Sequence, residues 1–161
     1  MTATTEITAA LAPIFAELDA KVLAESLTWI EERAAAVHAF QQSDEYRKMD
    51  VYSRYDRVFA LAGGKSWYQV ISVNGSRGRA AHMTKHCAKV AEKRNATIAN
   101  KLIKAEVTEV TGSDIARSHD GFNGVFRVAT NKGPKRVTID TIYAGGYNIQ
   151  CLHLRVLVHV K

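Results

Sequence analysis

Residues 145–158 read Gly145-Gly146-Tyr147-Asn148-Ile149-Gln150-Cys151-Leu152-His153-Leu154-Arg155-Val156-Leu157-Val158. The Gly-Gly pair marks a turn, and the run after it alternates as a strand does. Leu152, Leu154, Val156, Val158 and Val160 fall on one face. Ile149, Cys151, His153, Arg155, Leu157 and His159 fall on the other. The first face reads as core. The second carries an imidazole and a guanidinium, groups that are costly to cover unless something pairs with them. This face of the strand therefore meets either water or an anion.

Working outward, Val137 to Tyr143 alternates in the same way. Asn131-Lys132-Gly133-Pro134 reads as a hairpin connection, and Asp120-Gly121-Phe122-Asn123-Gly124 as a turn leading into Val125–Ala129. Glu106–Val110 reads as extended. The last three strands, joined by short turns, form an antiparallel meander. Upstream, Arg79 to about Lys104 is helical, with Met83, Val90, Ile98 and Leu102 inward. Asn74-Gly75-Ser76-Arg77-Gly78 is a loop by composition, and Trp67–Val73 a short strand or turn. Asp50–Ala62 reads as a short helix ended by Gly63-Gly64.

The N-terminal stretch from 5 to about 45 is helical. Leu11, Phe15, Leu18, Val22, Trp29 or Ile30, Val37 and Phe40 recur at steps of three, four and seven. Pro13 suits a first helical turn, so the helix is expected to restart there with Ala12 outside it. A long apolar stripe needs a cover, either a second helix or a second subunit, and the expectation is a dimer or higher homo-oligomer. The fold class is α+β, a single domain over 1–161, helical to about 104 and β from about 105.

The chain has 161 residues and a formal net charge of +6. Residues 1–50 hold nine acids against four bases, a net of −5, and residues 51–161 hold 18 bases against seven acids, a net of +11. That asymmetry fits either a self-complementary surface or a positive cleft for a phosphate-bearing partner. No window approaches the roughly 18 apolar residues of a membrane span, and Met1–Glu6 has no basic signal region. Two cysteines without a Cys-x-x-Cys fit a reduced compartment, and the expected location is the cytoplasm.

Catalytic patterns are weak. Gly63-Gly64-Lys65-Ser66 ends like a phosphate loop, but Phe59 stands where the pattern needs its first glycine. His82 and His86 have a ligand spacing, without the acid of a zinc-protease helix between them. There is no Gly-x-Ser-x-Gly elbow and no carboxylate pair that can be placed. No catalytic residue, metal or cofactor is expected. The strongest signal is basic residues interleaved with aromatics: Arg54-Tyr55-Asp56-Arg57, Lys65-Ser66-Trp67-Tyr68, Arg77-Gly78-Arg79, and the basic helix ending Lys93-Arg94-Asn95. Guanidinium groups take phosphate in fork geometry and rings stack on bases, which suits nucleic acid and small nucleotides equally.

Glu92-Lys93-Arg94-Asn95-Ala96, Asp120-Gly121-Phe122-Asn123-Gly124-Val125-Phe126, Val137-Thr138-Ile139 and Ala144-Gly145-Gly146-Tyr147-Asn148-Ile149-Gln150, continuing into His153 and Arg155, resemble a protein type carried by phages and prophages. Over about residues 92–161 the chain is similar to the Thoeris anti-defence sponge family. The resemblance implies an oligomer, with N-terminal helices and a C-terminal β head, that traps a cyclic ADP-ribose immune signal in the host cell without cleaving it. It implies Arg94 and Arg155 for the pyrophosphate and Phe122 for the base. Strand geometry adds Asn148, Gln150 and His153 as polar groups. The alternatives are a nucleic-acid-binding phage accessory protein and a small virion interaction protein.

Overall fold

A computed structural model describes residues 1–64, 75–118, 121–144 and 153–161. Among the described residues, four helices come first: α1 (Ala3–Gln42), α2 (Asp44–Lys48), α3 (Val51–Leu61) and α4 (Gly75–Lys104). Four strands follow: β1 (Val107–Ser118), β2 (Gly121–Thr130), β3 (Gly133–Ala144) and β4 (His153–Val160). The protein is α+β. The strands form one antiparallel sheet in the order β1-β2-β3-β4, so each pairs with the next in sequence. The chain divides into two compact units, one of Met1–Lys21, Ala88–Ala144 and His153–Lys161, the other built on Val22–Cys87.

In the first unit, the first turns of α1 bury Ile7, Leu11, Phe15 and Leu18, and the end of α4 buries Ile98 and Leu102. The sheet contributes Phe122, Phe126, Val128, Val137, Ile139 and Val158. In the second unit, Ile30, Val37 and Phe40 of α1 cluster with Val58 of α3, Ala62 and Met83 of α4. Of the two candidates at 29 and 30, it is Ile30 that is fully buried. The α1 stripe is thus buried within a single chain, so covering it takes no second subunit.

Helix α1 runs unbroken through Pro13, where a restart was expected. A helical proline removes the N–H that would bond the carbonyl four residues back, here Ala9. Both Pro13 and Ala9 are exposed, so water can take the released carbonyl and the break is not forced. Helix α4 also starts earlier than expected, at Gly75. The first turn of a helix has no inward-bonded N–H groups to lose, and glycines are tolerated there better than in the interior. Trp67–Val73 lies outside the described residues.

The sheet has one strand more than the meander read from sequence, and its outer strand is long. Glu106 does not open β1: it sits at φ 56, with its N–H on the Ile103 carbonyl at 2.9 Å, and closes helix α4. A left-handed residue after the last helical turn satisfies carbonyls the helix leaves open. Gly121 and Gly124 belong to strand β2 and not to a turn. A Cβ on Gly121 would come within 1.9 Å of the Thr141 carbonyl oxygen, and one on Gly124 would press the Phe126 and Phe122 rings at 3.1 and 3.3 Å. These glycines are there because a neighbour occupies the side-chain position. The hairpin read at Asn131-Lys132-Gly133-Pro134 is present but tighter: Gly133 and Pro134 already belong to β3, with Thr130 paired to Gly133.

Candidate functional site

The sheet register sorts the predicted site residues onto two faces. Residues opposite each other on neighbouring strands share a face. The inner face carries Phe122, Phe126 and Val128 of β2, Thr141, Ile139 and Val137 of β3, and Val158 of β4, all buried. Phe122 meets Phe15 of α1 edge-on, centroids 5.2 Å apart and planes at 79°. Phe15 in turn lies under Arg94, whose guanidinium carbon is 3.8 Å from the ring centroid.

Arg94 is 6% exposed. A buried guanidinium is tolerated only when its donors are met. Here Nη1 donates to Asp19 Oδ1 at 2.6 Å, and Nη2 to Asp19 Oδ2 at 3.1 Å, a bidentate fork. Nε and Nη2 also donate to Asn95 Oδ1, at 3.2 and 3.1 Å. A cavity of ≈ 210 Å³ borders this seat, lined by Leu11, Ala12, Phe15, Ala16 and Ile98 besides the polar groups. Two residues read as ligand contacts, Arg94 and Phe122, are therefore brought together through Phe15. Both are engaged in the interior, and a pyrophosphate reaching Arg94 would have to displace Asp19. Sequence reading missed Asp19, the acid that lies 75 residues away in the chain.

The outer face differs. From one end to the other it presents Gly112, Arg127, Arg136 and Lys161 in a row across the sheet. Asp114, Val125, Thr138 and His159 form the next row, then Ala116, Asn123, Asp140 and Leu157, then Ser118, Gly121, Ile142 and Arg155. Arg127, Arg136, Arg155, His159 and Lys161 are exposed. The apolar Ile142 and Leu157 are 44% and 39% exposed beside Arg155. The ion pairs Arg47–Asp44, Arg94–Asp19 and Arg117–Glu17 use none of the outer-face cations. Among the described residues Arg155 has no carboxylate partner, and Asp140, two residues away along the neighbouring strand, does not close on it.

The other expected contacts are placed as follows. His153 starts β4. Asn148 and Gln150 lie outside the described residues, as do Lys65-Ser66-Trp67-Tyr68 and Cys151. In the Arg54-Tyr55-Asp56-Arg57 segment, Arg54 serves the neighbouring helix. Its Nε donates to the Tyr46 carbonyl at 2.6 Å and its Nη2 to the Arg47 carbonyl at 2.9 Å, which satisfies the end of α2. Its guanidinium also lies 4.8 Å from the Tyr46 ring centroid. Among the described residues there is no group of three His, Cys, Asp or Glu side chains able to hold a metal ion. No described helix is long and apolar enough to cross a membrane. Comparison with protein-family models, curated proteins and solved structures returns no match to this chain.

Proposed function

We propose that this chain is a non-catalytic binder that sequesters a cyclic nucleotide immune signal of the cyclic ADP-ribose type, as a phage or prophage anti-defence protein acting in the host cytoplasm. The observation that carries the reading is Arg155. It is exposed on the outer sheet face without an acid partner among the described residues, beside the half-exposed Ile142 and Leu157. An arginine with open donors next to an apolar platform suits a phosphate joined to a flat ring. The resemblance over residues 92–161 supplies the particular ligand.

Native mass spectrometry of freshly purified protein, followed by calorimetry with cyclic ADP-ribose isomers, tests this directly. The expected result is a retained small nucleotide on an oligomer of the 17.8 kDa chain, with micromolar or tighter rebinding and no turnover. The second reading, a nucleic-acid binder, draws on the cations lying at both ends of the outer face, as a phosphate backbone would require. It would show as steeply salt-dependent retention of DNA or RNA with no heat from cyclic nucleotides, and that outcome would reverse the assignment.

A further inference from the structure

The outer face has a second cationic feature, and it lies at the opposite end from Arg155. Arg127 of β2 and Arg136 of β3 are direct cross-strand partners. The Arg136 N–H and carbonyl both bond Lys161, at 2.9 and 3.0 Å. Arg136 therefore has no backbone bond left for Arg127, and the two arginines form a non-hydrogen-bonded pair. In such pairs the Cα atoms approach to about 4.5 Å and the side chains are closest. Like charges placed directly opposite destabilise a sheet. Lys161 lies on the far side of Arg136 and is exposed.

Nothing in the described structure relieves this. Neither arginine forms an ion pair. The side-chain carboxylate of Asp114 lines the same depression without closing on either of them. The Arg127 side chain lies over Gly112, with Nη1 3.5 Å from the place a Cβ would take. Between the two arginines, Gly112, Ser113, Asp114 and Val125 is a depression of ≈ 150 Å³. That is roughly the volume of five waters, enough for one phosphoryl group.

We infer that Arg127 and Arg136 form an anion site for a phosphoryl group. A carboxylate satisfies one guanidinium fork. A tetrahedral dianion presents oxygens to two forks at once, and it neutralises the repulsion that the pairing creates. The site is separate from Arg155, by about six residues along the strand or roughly 20 Å. It therefore stands or falls independently of the proposed signal binding.

The test is calorimetry and thermal unfolding with sodium pyrophosphate at fixed ionic strength, on the wild-type chain and on Arg136→Gln and Arg155→Ala. The site requires saturable binding by the wild type, at least about tenfold weaker in Arg136→Gln and within about twofold of wild type in Arg155→Ala. Without anion, Arg136→Gln should melt no lower than wild type, because it removes a like-charge pair. No saturable heat in the wild type, or unchanged affinity in Arg136→Gln, overturns the proposal. So does a lower anion-free melting temperature, which would make Arg136 a structural residue. Competition by cyclic ADP-ribose would place a nucleotide phosphate at the pair, while simultaneous binding would make it a site for inorganic phosphate, and either supports it.

Discussion

The seat of Arg94 and the outer face of the sheet use the same side chain to opposite ends. Arg94 has a bidentate acid, an amide oxygen and an aromatic ring around it, and solvent reaches 6% of it. Arg127, Arg136 and Arg155 have none of these partners among the described residues and face solvent. A guanidinium whose donors are filled from within the fold holds elements together. One whose donors stay open in water holds no elements together and is available to an outside anion. The difference separates residues whose loss should unfold the chain from residues whose loss should change only what it binds.

The largest expected effect is on the inner side. Phe122→Ala removes a ring that is 1% exposed and in edge contact with Phe15, and should cost about 3–5 kcal/mol in a denaturant titration. A stable Phe122→Ala protein with lost nucleotide binding would instead make the ring a ligand contact and break the contrast. Next is Arg94→Ala. It leaves the Asp19 carboxylate, whose side chain is 35% exposed, without its fork partner. A loss of about 2–3 kcal/mol is expected, less than for a fully buried pair because water still reaches the acid. Arg94→Lys should recover part of this, since it keeps the charge and loses the fork and the ring stacking.

A smaller effect should follow pH. The Asp50 carboxyl is held below its usual range, first by the Ser53 hydroxyl and also by the Ser53 and Tyr52 backbone N–H groups at the start of α3. A lowered folded-state pKa means that the capped form is stabilised above the ordinary carboxylate range. That stabilisation is lost as pH falls through the lowered value. Melting curves from about pH 5 to pH 2 should show part of the acid limb vanish in Asp50→Asn, which keeps a cap without the titration. An unaltered acid limb would detach the cap from acid stability.

The smallest effect on stability is expected at Arg155. Arg155→Ala should change unfolding free energy by no more than about 0.5 kcal/mol, while nucleotide affinity falls about ten- to a hundredfold. A destabilised protein with unchanged affinity would move Arg155 into the same class as Arg94 and end its assignment to a ligand.

Which of these residues were legible in advance follows from how local their signals are. Alternation identified the inner row of β4 and put Arg155 on the other face, because strand period is set residue by residue. The hairpin was legible at Asn131-Lys132-Gly133-Pro134, but a four-residue connection would have set Arg127 opposite Thr138; the turn is Asn131-Lys132 alone, and that shorter turn pairs Arg127 with Arg136. Arg94 was a different matter. Its position on a basic helix suggested an anion contact, but its fate depends on Asp19, far away in sequence, and on Phe15 beneath it. Gly121 and Gly124 misled for the same reason. Glycine ordinarily signals a turn, and only the approach of Thr141 and the Phe rings shows that it makes room inside a strand. Pro13 misled because the cost of an unbonded carbonyl depends on whether water reaches it.

The Lys101 ammonium donates to the Val158 carbonyl at 3.0 Å, and the sheet register gives that bond a further meaning. Arg136 and Lys161 exchange backbone hydrogen bonds, so the alternation along β3 and β4 makes Val158 and Ile139 a non-bonded pair. The Val158 carbonyl therefore points outward from β4, which among the described residues is an edge of the sheet. An open edge is a template on which a foreign strand can add itself and seed a growing assembly. A charged side chain lodged on one of its acceptors breaks the ladder such a strand would need. Lys101 thus occupies an acceptor that an added strand would need, and β1 is made irregular by two register shifts, which makes it a poorer template as well.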